Sequence, residues 1–189
     1  MAYPTTLIAV GDLVTVANIN AWPVALAEAS GAAASYDFTS IPAIWTHLLI
    51  LGAVQGDGGA GFHELRVRFN NNTESKYYDQ RVRGSGSTAS AADQAAAQLA
   101  RIGSVSGSSA GDFSPFAIWI PNYAAVQRHS FVAESFAASA LSANNMRVED
   151  WGGVWDPAVA AAINQVTIFP ATGSFVAGSL ATVYGMGAL

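Results

Sequence analysis

The run Gly56-Asp57-Gly58-Gly59-Ala60-Gly61 matches G-x-G-x-x-G, the pattern that seats a dinucleotide pyrophosphate at a helix amino terminus. That chemistry needs a strand before the glycines and a helix after them. Here Phe62 opens a strand-like run, so the glycines read as a hairpin connection. Gly107-Ser108-Ser109-Ala110-Gly111 has the G-x-S-x-G spacing of a nucleophile elbow, with Asp112 and His129 downstream. An elbow serine lies between a buried strand and a helix. Ser109 follows a polar loop and precedes a strand-like run at 116–120, so no nucleophile is assigned. His47, His63 and His129 lack H-E-x-x-H or H-x-H spacing, and Asp57 and Glu149-Asp150 lack the dense oxygen spacing of a calcium loop. Glu149, Asp150 and Asp156 beside Trp151 and Trp155 are the residue types of glycoside hydrolysis, but such acids are usually solvated loop residues. No catalytic residue, cofactor or metal is expected. Trp151 and Trp155 are candidate glycan or subunit contacts, because aromatic faces stack on sugar rings and Gly152 and Gly153 would leave them accessible. Core packing or a subunit contact is the commoner role for such residues.

These residues must be positioned by short strands. Runs separated by Gly, Pro, Asn and Ser occur at 36–39, 44–54, 62–69, 76–82, 116–120, 127–137, 145–149, 163–169 and 175–184. In 62–69, Leu65, Val67 and Phe69 alternate with Glu64, Arg66 and Arg68, the mark of a half-buried antiparallel strand. The run 44–54 is apolar on both faces, which predicts cover on both sides. One helix is expected at 90–102, capped by Ser90 with Asp93 in its first turn, between loops at 84–89 and 103–112. Before the strands, Pro23 opens a short helical stretch, 24–29, closed by Gly31. The expected fold is all-β: a jelly-roll-like antiparallel β-sandwich, residues 33–189, with one inserted short helix and an N-terminal arm, residues 1–32. Asn71-Asn72-Thr73 spells a glycosylation sequon but reads as a turn.

Composition narrows the function. The chain has 189 residues, 13 acidic against 8 basic, a formal charge of −5 and no cysteine, which excludes a disulfide scaffold and a structural zinc finger. Charged residues are only 11% of the chain and Lys76 is its one lysine, so the surface defends poorly against association and a homo-oligomer is expected. With no basic cluster in the sequence, nucleic acid is not an expected partner. No run reaches the roughly 18 apolar residues of a membrane span, and Met1 to Val10 lack a signal-peptide pattern, so a soluble, unprocessed chain is expected. Leu7, Ile8, Val14, Val16, Ile19 and Trp22 give the arm more apolar area than a free tail tolerates, which makes them candidate docking residues.

The segment Tyr36-Asp37-Phe38-Thr39-Ser40-Ile41-Pro42-Ala43-Ile44-Trp45-Thr46-His47-Leu48 resembles the "Y-x-F-[ST]-x-I-P-x-x-Y-x-H-L" of small virion proteins of tailed bacteriophages. Leu65 through Phe69-Asn70-Asn71-Asn72-Thr73 is similar to their "L-x-x-x-F-N-G-D-T", with Asn71-Asn72 in place of Gly-Asp and, in the first segment, Trp45 in place of tyrosine. Pro121-Asn122-Tyr123 resembles a strand-ending turn of the family, and Gly173-Ser174-Phe175, Gly178-Ser179 and Tyr184-Gly185 resemble its closing "G-x-F-x-x-G-S-x-x-x-L-Y-G". The resemblance implies a β-sandwich that decorates capsids or forms part of fibres and tails, with trimers common and no catalytic residues. The expected function is therefore a virion structural protein: a homotrimeric capsid decoration (cement) protein contacting the major capsid protein or other virion proteins. The alternative is a fibre module that binds a host surface glycan.

Overall fold

The computed structural model describes residues 23–107, 112–139 and 145–188. Among the described residues there are twelve strands: β1 (Val24–Ser30), β2 (Tyr36–Phe38), β3 (Trp45–Gly56), β4 (Gly61–Phe69), β5 (Tyr77–Ser85), β6 (Thr88–Ala97), β7 (Ala100–Gly107), β8 (Ser114–Pro121), β9 (His129–Ala138), β10 (Met146–Trp155), β11 (Val166–Pro170) and β12 (Leu180–Ala188). The chain is all-β, with no α-helix among the described residues, and hence none there long and apolar enough to cross a membrane.

Eight strands pair in the order β1-β12-β3-β8-β9-β10-β5-β6, and four more in the order β2-β11-β4-β7. The two layers join where Gln55 and Gly56 of β3 run parallel to Ser106 and Gly107 of β7, so the assembly is one mixed, unclosed sheet folded onto itself. Side-chain alternation builds the core between the layers. Leu48, Ile50, Ile118, Ile120, Phe131 and Val183 of the large layer face Leu65, Val67, Phe69, Ile102, Val105 and Ile168 of the small one.

All nine strands expected from the sequence are present, with shifted ends. Both expected helices are absent. Residues 24–29 lie in β1, which pairs antiparallel with β12, with a register shift between Ala25 and Ala27. Residues 90–102 form most of β6 and the start of β7. Alanine is the best helix former, but intrinsic propensity is worth only tenths of a kcal/mol per residue, and a strand partner overrides it. The partner here is β5, joined through the two-residue loop Gly86-Ser87; Gly86 has φ 57°, as the first position of a type II′ turn requires. Of the loops expected at 84–89 and 103–112, residues 84–85, 88–89 and 103–107 are strand, and 108–111 lie outside the described residues.

The glycine run at 56–61 is not a hairpin. It carries the chain from the large layer to the small, because β4 pairs with β7 and β11 and not with β3. The sequon is a turn: Asn70 and Asn71 both have φ 51° and the Asn72 amide donates to the Phe69 carbonyl at 2.9 Å. Asn71 holds a left-handed position, which asparagine tolerates.

Candidate functional site: the outer face of the large layer

Along β9, β10, β5 and β6 alternate residues point away from the small layer. In register, Asp150 lies between Glu134 and Val82, Gly152 between Val132 and Gln80, and Val154 between Ser130 and Tyr78. One strand further out, Ala91 pairs with Val82 and Asp93 with Gln80. All of these except Glu134 and Ser130 line an open trough of about 930 Å³. Gly152 leaves its floor bare, since a Cβ there would meet nothing within 4 Å. Two of its lining residues are exposed valines, Val82 at 61% and Val132 at 54%, and Val148, 58% exposed, lies beyond them on the same face of β10. Phe136, beside Val148, and Tyr78 extend the apolar area in two directions.

The charges on this face have one sign. Glu134, Asp150 and Asp93 point outward, whereas Arg81, Arg83 and Arg147 occupy the opposite parity of the same strands. Glu134 and Asp150 sit directly across from one another, an arrangement that destabilises an isolated sheet. Nothing in the trough resembles catalytic machinery: no nucleophile and base are brought together, and among the described residues no three His, Cys, Asp or Glu side chains are placed to hold a metal.

Trp151 and Trp155 do not reach this face. They are 2% and 1% exposed and lie on the inward side of β10, so the expectation of accessible rings is corrected by the parity of the strand. Trp151 is held between Arg81 and Arg101, whose guanidinium carbons lie 5.4 and 5.2 Å from its ring centre, and its Nε1 donates to Glu149 Oε2 at 3.4 Å. Trp155 packs against His129, Tyr77 and Phe69 in the core. The arm residues Leu7, Ile8, Val14, Val16, Ile19 and Trp22 lie outside the described residues.

The other motif residues have structural partners. His129 Nε2 bonds the Ala161 carbonyl at 2.8 Å, and burial pushes its pKa down, opposed by that hydrogen bond. His47 Nδ1 accepts the Asn122 amide at 3.2 Å, and His63 contacts the Gly59 carbonyl at 3.3 Å. Asp57 accepts the Ser174 amide at 2.6 Å. Glu149 is buried and Asp150 exposed on opposite faces of β10, which separates the two acids that the sequence places side by side. Ser109 lies outside the described residues, and the strands nearest to it, β7 and β8, offer no elbow helix.

Comparison with family models, with curated proteins and with solved structures finds no match. What defines the molecule is its own geometry: an all-β sandwich with one broad, apolar, acid-edged face.

Proposed function

We propose that this protein is a non-catalytic structural subunit: a capsid decoration (cement) protein of a tailed-bacteriophage virion, acting as a homotrimer on the outer surface of the shell. The observation that carries the reading is the outer face of the large layer, where Val82, Val132 and Val148 are exposed together with no basic group among them. Such a face gains most by docking on another apolar surface, at about 25 cal/mol per Å² removed from water. The scarcity of charge over the chain supports a second copy as the partner. The resemblance of its segments to small virion proteins supports the setting. We read the sandwich as jelly-roll-like, supported by the crossing of the chain between layers at 56–61 and again between β11 and β12. The arm, through Leu7, Ile8, Val14, Val16, Ile19 and Trp22, is proposed to dock on the shell or a neighbouring subunit.

A specific observation favours a second reading, a receptor-binding module of a head or tail fibre. Tyr78, Gln80, Asp93 and Asp150 line the same trough and are the residue types that stack on and hydrogen-bond a sugar. Quantitative mass spectrometry of purified particles separates the two. Hundreds of copies per particle support decoration, tens support a fibre, and absence from the particle defeats both.

A further inference from the structure

Where β10 and β5 pass β7, their inward side chains meet the ends of β4 and β7 in a second, polar contact distinct from the core. Arg147 lays its guanidinium 4.1 Å from the Phe62 ring centre and donates to Ser104 Oγ at 3.4 Å. Arg101 pairs with Asp79 at 2.7 Å and reaches Glu64 at 4.0 Å; Glu64 in turn holds Arg66 at 2.8 Å. Arg81 approaches Glu149 at 3.6 Å, and Arg83 is the cross-strand partner of Glu149. Five guanidinium groups (Arg66, Arg81, Arg83, Arg101, Arg147) thus share three carboxylates (Glu64, Asp79, Glu149), leaving two positive charges in excess.

The excess is localised. Asp79 is committed to Arg101 and Glu64 to Arg66, so the one carboxylate paired with any of Arg81, Arg83 and Arg147 among the described residues is Glu149, with Glu64 acting on Arg81 only from a distance. No carboxylate pairs with Arg83 or Arg147 among the described residues, and the Nε atoms of all three arginines are buried without a hydrogen-bond partner. Burial first, and the neighbouring Arg83 charge second, press the pKa values of Arg81 and Arg147 downward. An arginine stays protonated under such pressure, so the repulsion is relieved by an anion rather than by loss of a proton.

We propose that Arg81, Arg83 and Arg147 form a binding site for a tetrahedral dianion, phosphate or sulfate, either free or carried as an ester on a partner. Two excess charges match a dianion, and planar guanidinium forks match its oxygens. The site does not rest on the assembly proposed above, because these side chains lie on the opposite side of the sheet from the trough.

The test is a titration of the full chain with inorganic phosphate, and in a second arm with phosphoserine, at constant ionic strength. Binding is read by calorimetry and by the arginine Nε–H resonances in NMR spectra. We expect one saturable site in the millimolar range or tighter, with shifts confined to Arg81, Arg83 and Arg147. Arg83→Gln and Arg147→Gln should weaken binding by at least about tenfold. Arg68→Gln, whose guanidinium packs over Phe169, should leave it unchanged. In phosphate-free buffer Arg83→Gln should melt at or above the wild-type temperature, because it relieves repulsion. A merely structural arginine would instead lower the melt. Preference for phosphate assigns the free ion and preference for phosphoserine the ester. No saturable binding in either arm, or equal binding by Arg83→Gln, overturns the site.

Discussion

Replacing Asp79 by asparagine should cost more stability than any exposed substitution in this chain. The Asp79 side chain is wholly buried, and it accepts the Arg101 backbone N–H at 3.0 Å, Nε at 3.0 Å and Nη2 at 2.7 Å. This cluster of bonds pins the start of β7 to β5 and so fastens the small layer to the large one. Asparagine keeps the shape and one acceptor oxygen but turns an NH₂ group toward the guanidinium donors. Arg101 is then left near Arg81 with only the half-exposed Glu64 at 4.0 Å. Breaking a buried pair in this way costs about 3–5 kcal/mol. In a chain of this size each kcal/mol lowers the midpoint by roughly 2–4 °C, which gives a fall of about 6–20 °C. The double variant Asp79→Asn/Arg101→Met removes the stranded charge while its thioether still covers Trp151, so it should regain more than half of the loss. Thermal and urea unfolding at one fixed protein concentration measure both. A loss below about 1 kcal/mol for Asp79→Asn, in the range of exposed pairs, or strictly additive losses in the double variant, would refute the argument.

Two neighbouring glycines should behave oppositely. A Cβ on Gly153 would lie 2.1 Å from Phe131 Cζ, so Gly153→Ala should destabilise by about 1–3 kcal/mol in urea melts, whereas Gly152→Ala, with open space around its Cβ, should stay within about 0.5 kcal/mol. Acid should weaken the fold through His129. Burial depresses its folded pKa below the unfolded value of about 6.5, so its contribution is complete above that pH and is lost as pH falls toward the folded value. Comparing unfolding free energies across pH for wild type and His129→Gln should show the variant with a shallower acid limb, by up to about 1.4 kcal/mol per pH unit; identical limbs contradict the assignment.

How much of this was legible depended on contrast between strand faces. β4 announces itself because Leu65, Val67 and Phe69 alternate with charged residues, and the structure buries those three. β6 carries Ala, Ser, Asp, Thr and Gln with no apolar face to reveal its period, so only its pairing with β5 makes it a strand. For the tryptophans of β10 the core-packing role holds and the accessible-ring alternative does not, for a related reason. With Val148 and Val154 on one side and Trp151 and Trp155 on the other, both faces look burial-worthy, and the pairing with β5 and β9 decides which is covered. Asp79, Arg81 and Arg83 do stand two residues apart, a visible signal that one strand face is charged. Nothing in their spacing says that the charged face turns inward toward β7, since that follows from how the two layers meet.

The central claim is that the outer face of the large layer is a contact between copies. Sedimentation equilibrium at micromolar concentration, for wild type and for a Val82→Glu/Val148→Glu variant, tests it most directly. Both valines are exposed, so the substitutions should leave the fold intact, and circular dichroism checks that they do. Wild type should sediment as a trimer at low and high salt alike, because apolar burial is little screened by ions, and the variant as a monomer. A monomeric wild type, or a folded variant that remains a trimer, would contradict the account.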